Sequence, residues 1–240
     1  MKGVILAGGM GTRLRPLTLI TNKHLLPVYN KPMIMYPLET LKKSGVREII
    51  IVCGREHAGH FINFLGSGEE HGVKLSYAVQ DRDNAGIADA LRYAEYFSEG
   101  ENIAVILGDN IFLDTFPEPV KKFSNGAMIF LKTVKDPKRF GVPVFDKTGK
   151  KIIQVEEKPQ RPKSKYAQTG FYLLDSSAFS IIKKLKPSAR GELELTDVIN
   201  NYISQGAMTF SFVRGAWYDA GTIESLQRAS IWLSKLGGGV

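Results

Sequence analysis

The chain begins with Val4-Ile5-Leu6-Ala7, a short apolar run, and passes directly into Gly8-Gly9-Met10-Gly11-Thr12-Arg13-Leu14-Arg15-Pro16. An apolar run of this length closed by a turn signal reads as a buried strand, and open α/β sheets bind ligands beyond the carboxyl ends of their strands. Three glycines at that point let backbone N–H groups come close to an anion, because no Cβ intervenes. Arg13 and Arg15 add planar forks of donors suited to phosphate oxygens, and Lys23, about ten residues on, adds a point charge. The pattern reads as a polyphosphate cradle. It is neither of the two common glycine loops. A dinucleotide fingerprint built on Gly9 and Gly11 needs a third glycine where Leu14 stands, and no Gly-Lys-Ser/Thr follows as in a Walker loop.

Strand and helix patterns then alternate. Helical spacing over 32–44 ends at Gly45; 47–53 reads as a strand, 56–65 as a helix, 74–79 as a strand, 86–97 as a helix and 102–107 as a strand. This predicts an α/β fold: a Rossmann-like mixed sheet, mostly parallel, flanked by helices on both faces. Strand patterns at 127–134, 142–145, 152–155 and 166–174 follow with few helices between them, so mixed or antiparallel pairing is expected there. Helices at 176–185, 194–205 and 222–236 and a strand at 208–213 complete the chain, and the tail Gly237-Gly238-Gly239-Val240 is expected to fray. No repeat or low-complexity linker divides the 240 residues, so a single domain is expected.

An apolar share of 43% supports a real core. The net charge of +8 suits an anionic partner, but the basic residues are scattered and no aromatic-rich RNA-binding signature appears. A small anionic substrate is expected rather than nucleic acid. Cys53 is the one cysteine, inside an apolar strand pattern, and no CxxC or HExxH spacing suggests zinc. The N-terminal apolar run is too short for a secretory signal, and no run approaches the ~18 residues of a bilayer span. A cytoplasmic protein with no membrane contact is the expectation.

Leu107-Gly108-Asp109-Asn110 puts a carboxylate at the end of a strand, where Mg2+ held by one or two carboxylates and substrate phosphates would fit. An Asp-Asn turn or helix cap fits the same residues. Trp217-Tyr218-Asp219-Ala220-Gly221-Thr222 offers a second carboxylate, or simply a turn before a helix. Gln80, after strand 74–79, carries an amide with one donor and one acceptor face. His24, His57, His60 and His71 have no evident partners, and no Ser-His-Asp or Cys-His arrangement points to covalent catalysis.

Residues 8–18, followed by Asn22-Lys23-His24-Leu25-Leu26-Pro27-Val28-Tyr29-Asn30-Lys31-Pro32-Met33-Ile34, resemble the sugar-phosphate nucleotidylyltransferases, most of all the branch that joins glucose 1-phosphate to dTTP. The resemblance extends over nearly the whole chain through Gln80 and Gly86-Ile87-Ala88-Asp89-Ala90, Phe140-Gly141-Val142, Val155-Glu156-Glu157-Lys158-Pro159, Ala167-Gln168-Thr169-Gly170 and residues 190–197.

The resemblance implies a nucleotide-binding part over about 1–110 and a sugar-binding part over about 111–240. It implies that Gly8, Gly9, Gly11, Thr12, Arg13, Gln80 and Gly86 bind the nucleotide. Asn110, Gly141, Glu157, Lys158, Gln168, Thr169 and Trp217 would bind the sugar phosphate. Arg13, Lys23, Lys158 and Asp109 would serve catalysis, and Asp109 and Asp219 would hold Mg2+. Arg190 is a further candidate for a phosphate. The implied substrates are dTTP or UTP and a sugar 1-phosphate, and a homo-oligomer is the family expectation. A uridylyltransferase, an enzyme for galactose or amino-sugar 1-phosphates, and a non-catalytic sugar-nucleotide-binding module are the alternatives. The sequence departs from the family in three places that bear on base and sugar preference. Five residues rather than four separate Gln80 from Gly86, with no proline among them; Phe140 stands where Tyr is common; Gln168 stands where Val is usual. Longer relatives continue past the motif at Asp219 with helices that help form a regulatory site, so weak or no feedback inhibition is expected here.

Overall fold

The apolar N-terminal run forms β1 (Lys2–Ala7), buried at every residue and placed inside a seven-stranded sheet. The structure, a computed structural model, describes residues 1–82 and 85–237. The middle of the loop after Gln80 and the end of the glycine tail lie outside the described residues. After β1 come β2 (Pro27–Val28), β3 (Lys31–Pro32), α1 (Met35–Lys43), β4 (Glu48–Gly54), α2 (Ala58–Leu65), β5 (Lys74–Gln80), α3 (Ile87–Arg92) and α4 (Glu95–Ser98). Then follow β6 (Ile103–Leu107), β7 (Asn110–Phe112), α5 (Pro117–Lys122), β8 (Ala127–Thr133), β9 (Gly141–Phe145), β10 (Ile152–Glu157) and β11 (Tyr166–Leu174). The chain closes with α6 (Ser177–Ile182), α7 (Leu195–Ser204), β12 (Met208–Phe212), β13 (Trp217–Asp219) and α8 (Ile223–Lys235).

The sheet order is β12-β8-β11-β6-β1-β4-β5. β5, β4, β1 and β6 are mutually parallel, β8 and β12 are parallel to each other, and β11 runs antiparallel to both its neighbours. The predicted mixed, mostly parallel sheet is therefore observed. The chain leaves β1 toward β4 and β5, then crosses back to put β6 on the other side of β1. That reversal of strand order is where open α/β sheets bind ligands. Because β11 is reversed, its first residues reach the carboxyl end of β6, which brings Gln168 and Thr169 to the same edge as the glycine loop.

Alternate residues of β1 enter opposite cores. Val4 and Leu6 pack with Leu91 of α3, Phe179 of α6 and Val198 of α7. Ile5 and Ala7 pack with Leu38 of α1 and Phe61 of α2. Both faces of the sheet are thus covered, which explains the unbroken apolar run. A third cluster joins Leu226, Ala229 and Leu233 of α8 to Leu14, Met33 and Tyr36, and so ties the last helix to the segment after the glycine loop. No helix among the described residues is long and apolar enough to cross a membrane.

Some local expectations differ. The helix over 86–97 is broken at Tyr93–Ala94, where both N–H groups bond three residues back and tighten the turn. Pro32 lies in the β2–β3 hairpin rather than in α1. The paired strands β7 and β13 were not anticipated; they are only three residues long. His24 does have a partner. It is 1% exposed, and its Nδ1 lies 2.7 Å from Asn22 Oδ1, which also accepts from the His24 N–H at 2.9 Å. Burial and the neighbouring Lys23 push its pKa down to about 3, so the ring is neutral and acts as a spacer beneath Gly108.

Candidate active site

The glycine loop is held open by its own side chains. Gly11 has φ +64°, and Thr18 Oγ1 donates to its carbonyl at 2.8 Å. Leu14 is fully buried and anchors the short helical turn Thr12–Leu14, which leaves Thr12 and Arg13 exposed. A methyl group at Gly8 would fall 2.5 Å from Gln80 Oε1, and one at Gly9 would fall 3.3 Å from Cε of Lys23. Glycine at 8 and 9 therefore lets β1 end directly against Gln80 and Lys23.

Lys23 Nζ reaches 2.5 Å from Asp109 Oδ2, and Asn110 Nδ2 donates to Asp109 Oδ1 at 3.0 Å. Burial alone would raise the Asp109 pKa, but the Lys23 ammonium and the Asn110 amide hold the carboxylate well below its usual range. Asp219 comes to the same place through the β7–β13 ladder, in which it faces Asn110. A methyl group at Gly221 would lie 2.9 Å from Asp219 Oδ1, 3.2 Å from an Arg13 guanidinium nitrogen and 3.3 Å from Asp109 Oδ2. Both carboxylates and Arg13 thus surround one point. Burial, and then the charge of Asp109, raise the Asp219 pKa against the pull of Lys23 and Arg13.

The other half is built on β9, β10 and β11. Glu157 lies opposite Gly141 in the β9–β10 pair. Its Oε2 accepts from Thr196 Oγ1 at 2.5 Å, and its Oε1 is 3.5 Å from Lys158 Nζ. Lys158 has φ +45°, an uncommon conformation for a residue with a Cβ, and its N–H donates to Phe140 O at 3.0 Å. Gln168 is buried; its Nε2 donates to the Tyr172 hydroxyl at 3.3 Å, while its Oε1 has no partner among the described residues. The Thr169 hydroxyl donates to Phe130 O at 2.9 Å and so faces the sheet. Trp217 packs on Phe140 with ring centroids 5.2 Å apart, and its Nε1 donates to Asn110 Oδ1 at 2.7 Å.

These two halves line one cleft of about 720 Å³, which contains the candidate residues named from the sequence from Gly8 to Asp219 except Arg15, which is exposed past the Thr12–Leu14 turn and does not line it. Gly86, with φ +98°, lies on its wall against the backbone of Leu193, where a methyl group would fall 2.4 Å from the Leu193 carbonyl oxygen. Arg190 lines the cleft too, but its guanidinium is held by both Glu194 oxygens at 2.8 Å. The sequence reading missed the roles of Asp89, which binds Gln80, and Glu194, which holds Arg190; Thr196, within the 190–197 motif, steadies Glu157. Long-range hydrogen bonds of this kind leave no spacing signal.

Known proteins resemble this chain along nearly its whole length. The profile of the nucleotidyl transferase family matches residues 2–235. A glucose-1-phosphate thymidylyltransferase of Neisseria meningitidis is 45% identical over 242 aligned positions, covering 98% of this chain and 83% of that protein. A crystal structure from Bacillus anthracis in complex with a sucrose, provisionally given the same enzyme name, is 51% identical with a TM-score of 0.91, covering 97% of this chain and 94% of that one. A UDP-glucose pyrophosphorylase complexed with UDP-glucose is 25% identical with a TM-score of 0.85, covering 98% of each chain. By profile, sequence and fold together, the chain belongs to the nucleotidyl transferase family.

Proposed function

We propose that the protein joins a sugar 1-phosphate, glucose 1-phosphate in the first instance, to dTTP, giving a dTDP-sugar and pyrophosphate. The observation that carries this reading is the meeting of Arg13, Lys23, Asp109 and Asp219 in a cleft that Glu157, Lys158 and Gln168 also line. A phosphate oxygen of the sugar 1-phosphate attacks the α-phosphorus of the triphosphate. The bond from that phosphorus to the bridging oxygen breaks, and pyrophosphate leaves with the electron pair. The attacking phosphate is already ionised, so no general base is required, and positioning and charge stabilisation are left to the protein. Arg13 and the glycine-loop N–H groups hold the leaving phosphates, Lys23 steadies the α-phosphate and Lys158 holds the nucleophile. Glu157 accepts from sugar hydroxyls.

Asp109 and Asp219 fit a hard divalent cation such as Mg2+. Their donors are all oxygen, and the two carboxylates face one point. Mg2+ characteristically takes one or two carboxylates and completes its shell with substrate phosphates and water. Bound there, Mg2+ would neutralise charge on the transferring phosphate. A cytoplasmic setting is part of this reading.

The test is pyrophosphate release from dTTP and UTP against a panel of sugar 1-phosphates, with and without Mg2+. Release that needs both substrates and Mg2+ is the expected result. Tight sugar-nucleotide binding without release would replace the proposal with a non-catalytic module. UTP is the specific second reading, because Gln80 offers the same hydrogen-bonding edge to uracil as to thymine and a relative of similar fold carries UDP-glucose.

A further inference from the structure

Asp89 lies on α3 and is fully buried beside the cleft, and the proposed chemistry does not use it. Its Oδ2 accepts from Gln80 Nε2 at 2.9 Å. Its Oδ1 lies 3.1 Å from Arg92 Nε, within ion-pair distance, although the N–H does not aim at it. Gln80 itself is 7% exposed and lines the cleft where the glycine loop leaves β1. The Gln80 Oε1 points the other way, to within 2.5 Å of where a Gly8 methyl would stand. No hydrogen bond reaches that oxygen among the described residues.

A glutamine amide can ordinarily turn over, exchanging its donor and acceptor ends, and the two orientations read different bases. A carboxylate removes that freedom, because it only accepts. With Asp89 behind it, Gln80 must turn its NH2 group toward α3. One N–H is held by Asp89, and the carbonyl oxygen and the second N–H are left for the ligand. An acceptor beside a donor matches the imide edge of thymine or uracil, which presents N3–H beside a carbonyl. It mismatches cytosine, which presents an unprotonated N3 beside an amino group. Turning the amide to suit cytosine would set Gln80 Oε1 against the Asp89 carboxylate.

We propose that Asp89 is a positioning residue for base selection: it locks the Gln80 amide in the orientation that accepts imide pyrimidines and rejects cytosine. This rests on the nucleotide-binding reading of the cleft given above. The chain therefore selects a class of base through a residue that does not touch the base.

The test is equilibrium binding of dTTP and dCTP, alongside pyrophosphate release, in the intact protein and in Asp89→Asn, Asp89→Leu and Arg92→Gln. Asparagine can either accept from or donate to Gln80, so Asp89→Asn frees the amide to turn while keeping the shape of the site. Asp89→Asn is expected to lower the dTTP-over-dCTP preference by about 10- to 100-fold, the range of a bidentate base contact. The loss should lie in affinity and KM, with kcat on dTTP little changed. Asp89→Leu should lose the preference too, and Arg92→Gln should keep it. An intact preference in folded Asp89→Asn would overturn the proposal. So would equal weakening of both nucleotides, an equal effect of Arg92→Gln, or a native protein that binds dCTP as well as dTTP. If no nucleotide yields pyrophosphate, the catalytic reading falls, and the binding ratios still decide the role of Asp89.

Discussion

Asp219 faces Asn110 across a three-pair antiparallel ladder, and the next residue, Ala220, donates its N–H to the Asp109 carbonyl at 2.9 Å. This short pairing of β7 with β13 brings together two acids separated by nearly half the chain. It follows directly from the crossover that places β6 beside β1, because β7 continues from the end of β6 at the ligand edge of the sheet. The Asn110 side chain secures the ladder: its Oδ1 accepts from Gly170 N at 2.9 Å and from Trp217 Nε1 at 2.7 Å. One amide oxygen thus fastens β11 and β13 to β7.

Asn110→Ala should therefore harm stability and activity together. It leaves the Gly170 N–H and the Trp217 indole N–H without their acceptor, and unpaired buried donors cost about 1–3 kcal/mol each. It also frees the Asp109 carboxylate from one of its two side-chain partners. A lower urea midpoint and a loss in kcat/KM are expected. Trp217→Phe, which keeps an aromatic ring, though a smaller one, and removes one donor, should fall between the native protein and Asn110→Ala in both measurements.

Arg13→Ala and Asp219→Ala should each cost about 10²–10³ in kcat, the usual loss when one charge-stabilising contact is removed from a transition state. Arg13 is exposed, so its variant should unfold like the native protein. Asp219→Asn should in addition raise the Mg2+ concentration needed for half-maximal rate, and a magnesium titration of pyrophosphate release measures this. Near-native turnover in either folded alanine variant would contradict the roles proposed for these residues.

The elements that were legible in the sequence are those with a long hydrophobic period. β1, β4 and β6 declared themselves because strands buried on both faces must be apolar at nearly every position, and β5, at the sheet edge, by its alternation of polar and apolar residues. The glycine loop was legible because its spacing reflects local backbone needs, such as φ +64° at Gly11. The β7–β13 pair was not, because three residues carry no period and their partners lie far apart in the chain. Asp89 was missed for a related reason. A carboxylate in the first turn of a helix looks like a favourable partner of the helix dipole, and only the fold shows it buried against Gln80. Gln168 stood out in the sequence because Val is usual at that place in the family, and the structure supplies the further fact that its carbonyl oxygen is unpaired among the described residues.

That unpaired oxygen makes a prediction with two signs. A buried acceptor without a donor is destabilising, so Gln168→Leu should unfold no more easily than the native protein, and its Tm should hold or rise. If the oxygen accepts from a sugar hydroxyl, the same variant should raise KM for glucose 1-phosphate about tenfold, as expected for the loss of one such contact. Its KM for dTTP should not move. A change in the nucleotide KM alone would place Gln168 outside the sugar-binding role.

Asp175 supplies a test of pH dependence away from the cleft. Its carboxylate accepts from Gly126 N at 2.6 Å, Ser177 N at 3.0 Å and the Tyr202 hydroxyl at 2.7 Å, so it joins the start of β8 to α6 and α7. Partial burial works against the charged form, but these hydrogen bonds outweigh it and hold the pKa below the ordinary value. A carboxyl whose folded pKa is lowered adds stability that is fully present above its unfolded pKa, about 3.9, and is lost as pH falls through the folded value. Asp175→Asn should therefore lower the unfolding free energy at pH 7 by about 1–2 kcal/mol, chiefly from weakened hydrogen bonds, since the charge is partly screened by solvent. The difference between variant and native protein should persist at pH 5 and narrow below about pH 4. Urea unfolding of both proteins at several pH values measures this, and a difference that grows toward acid would mean that the carboxylate is not the stabilising form.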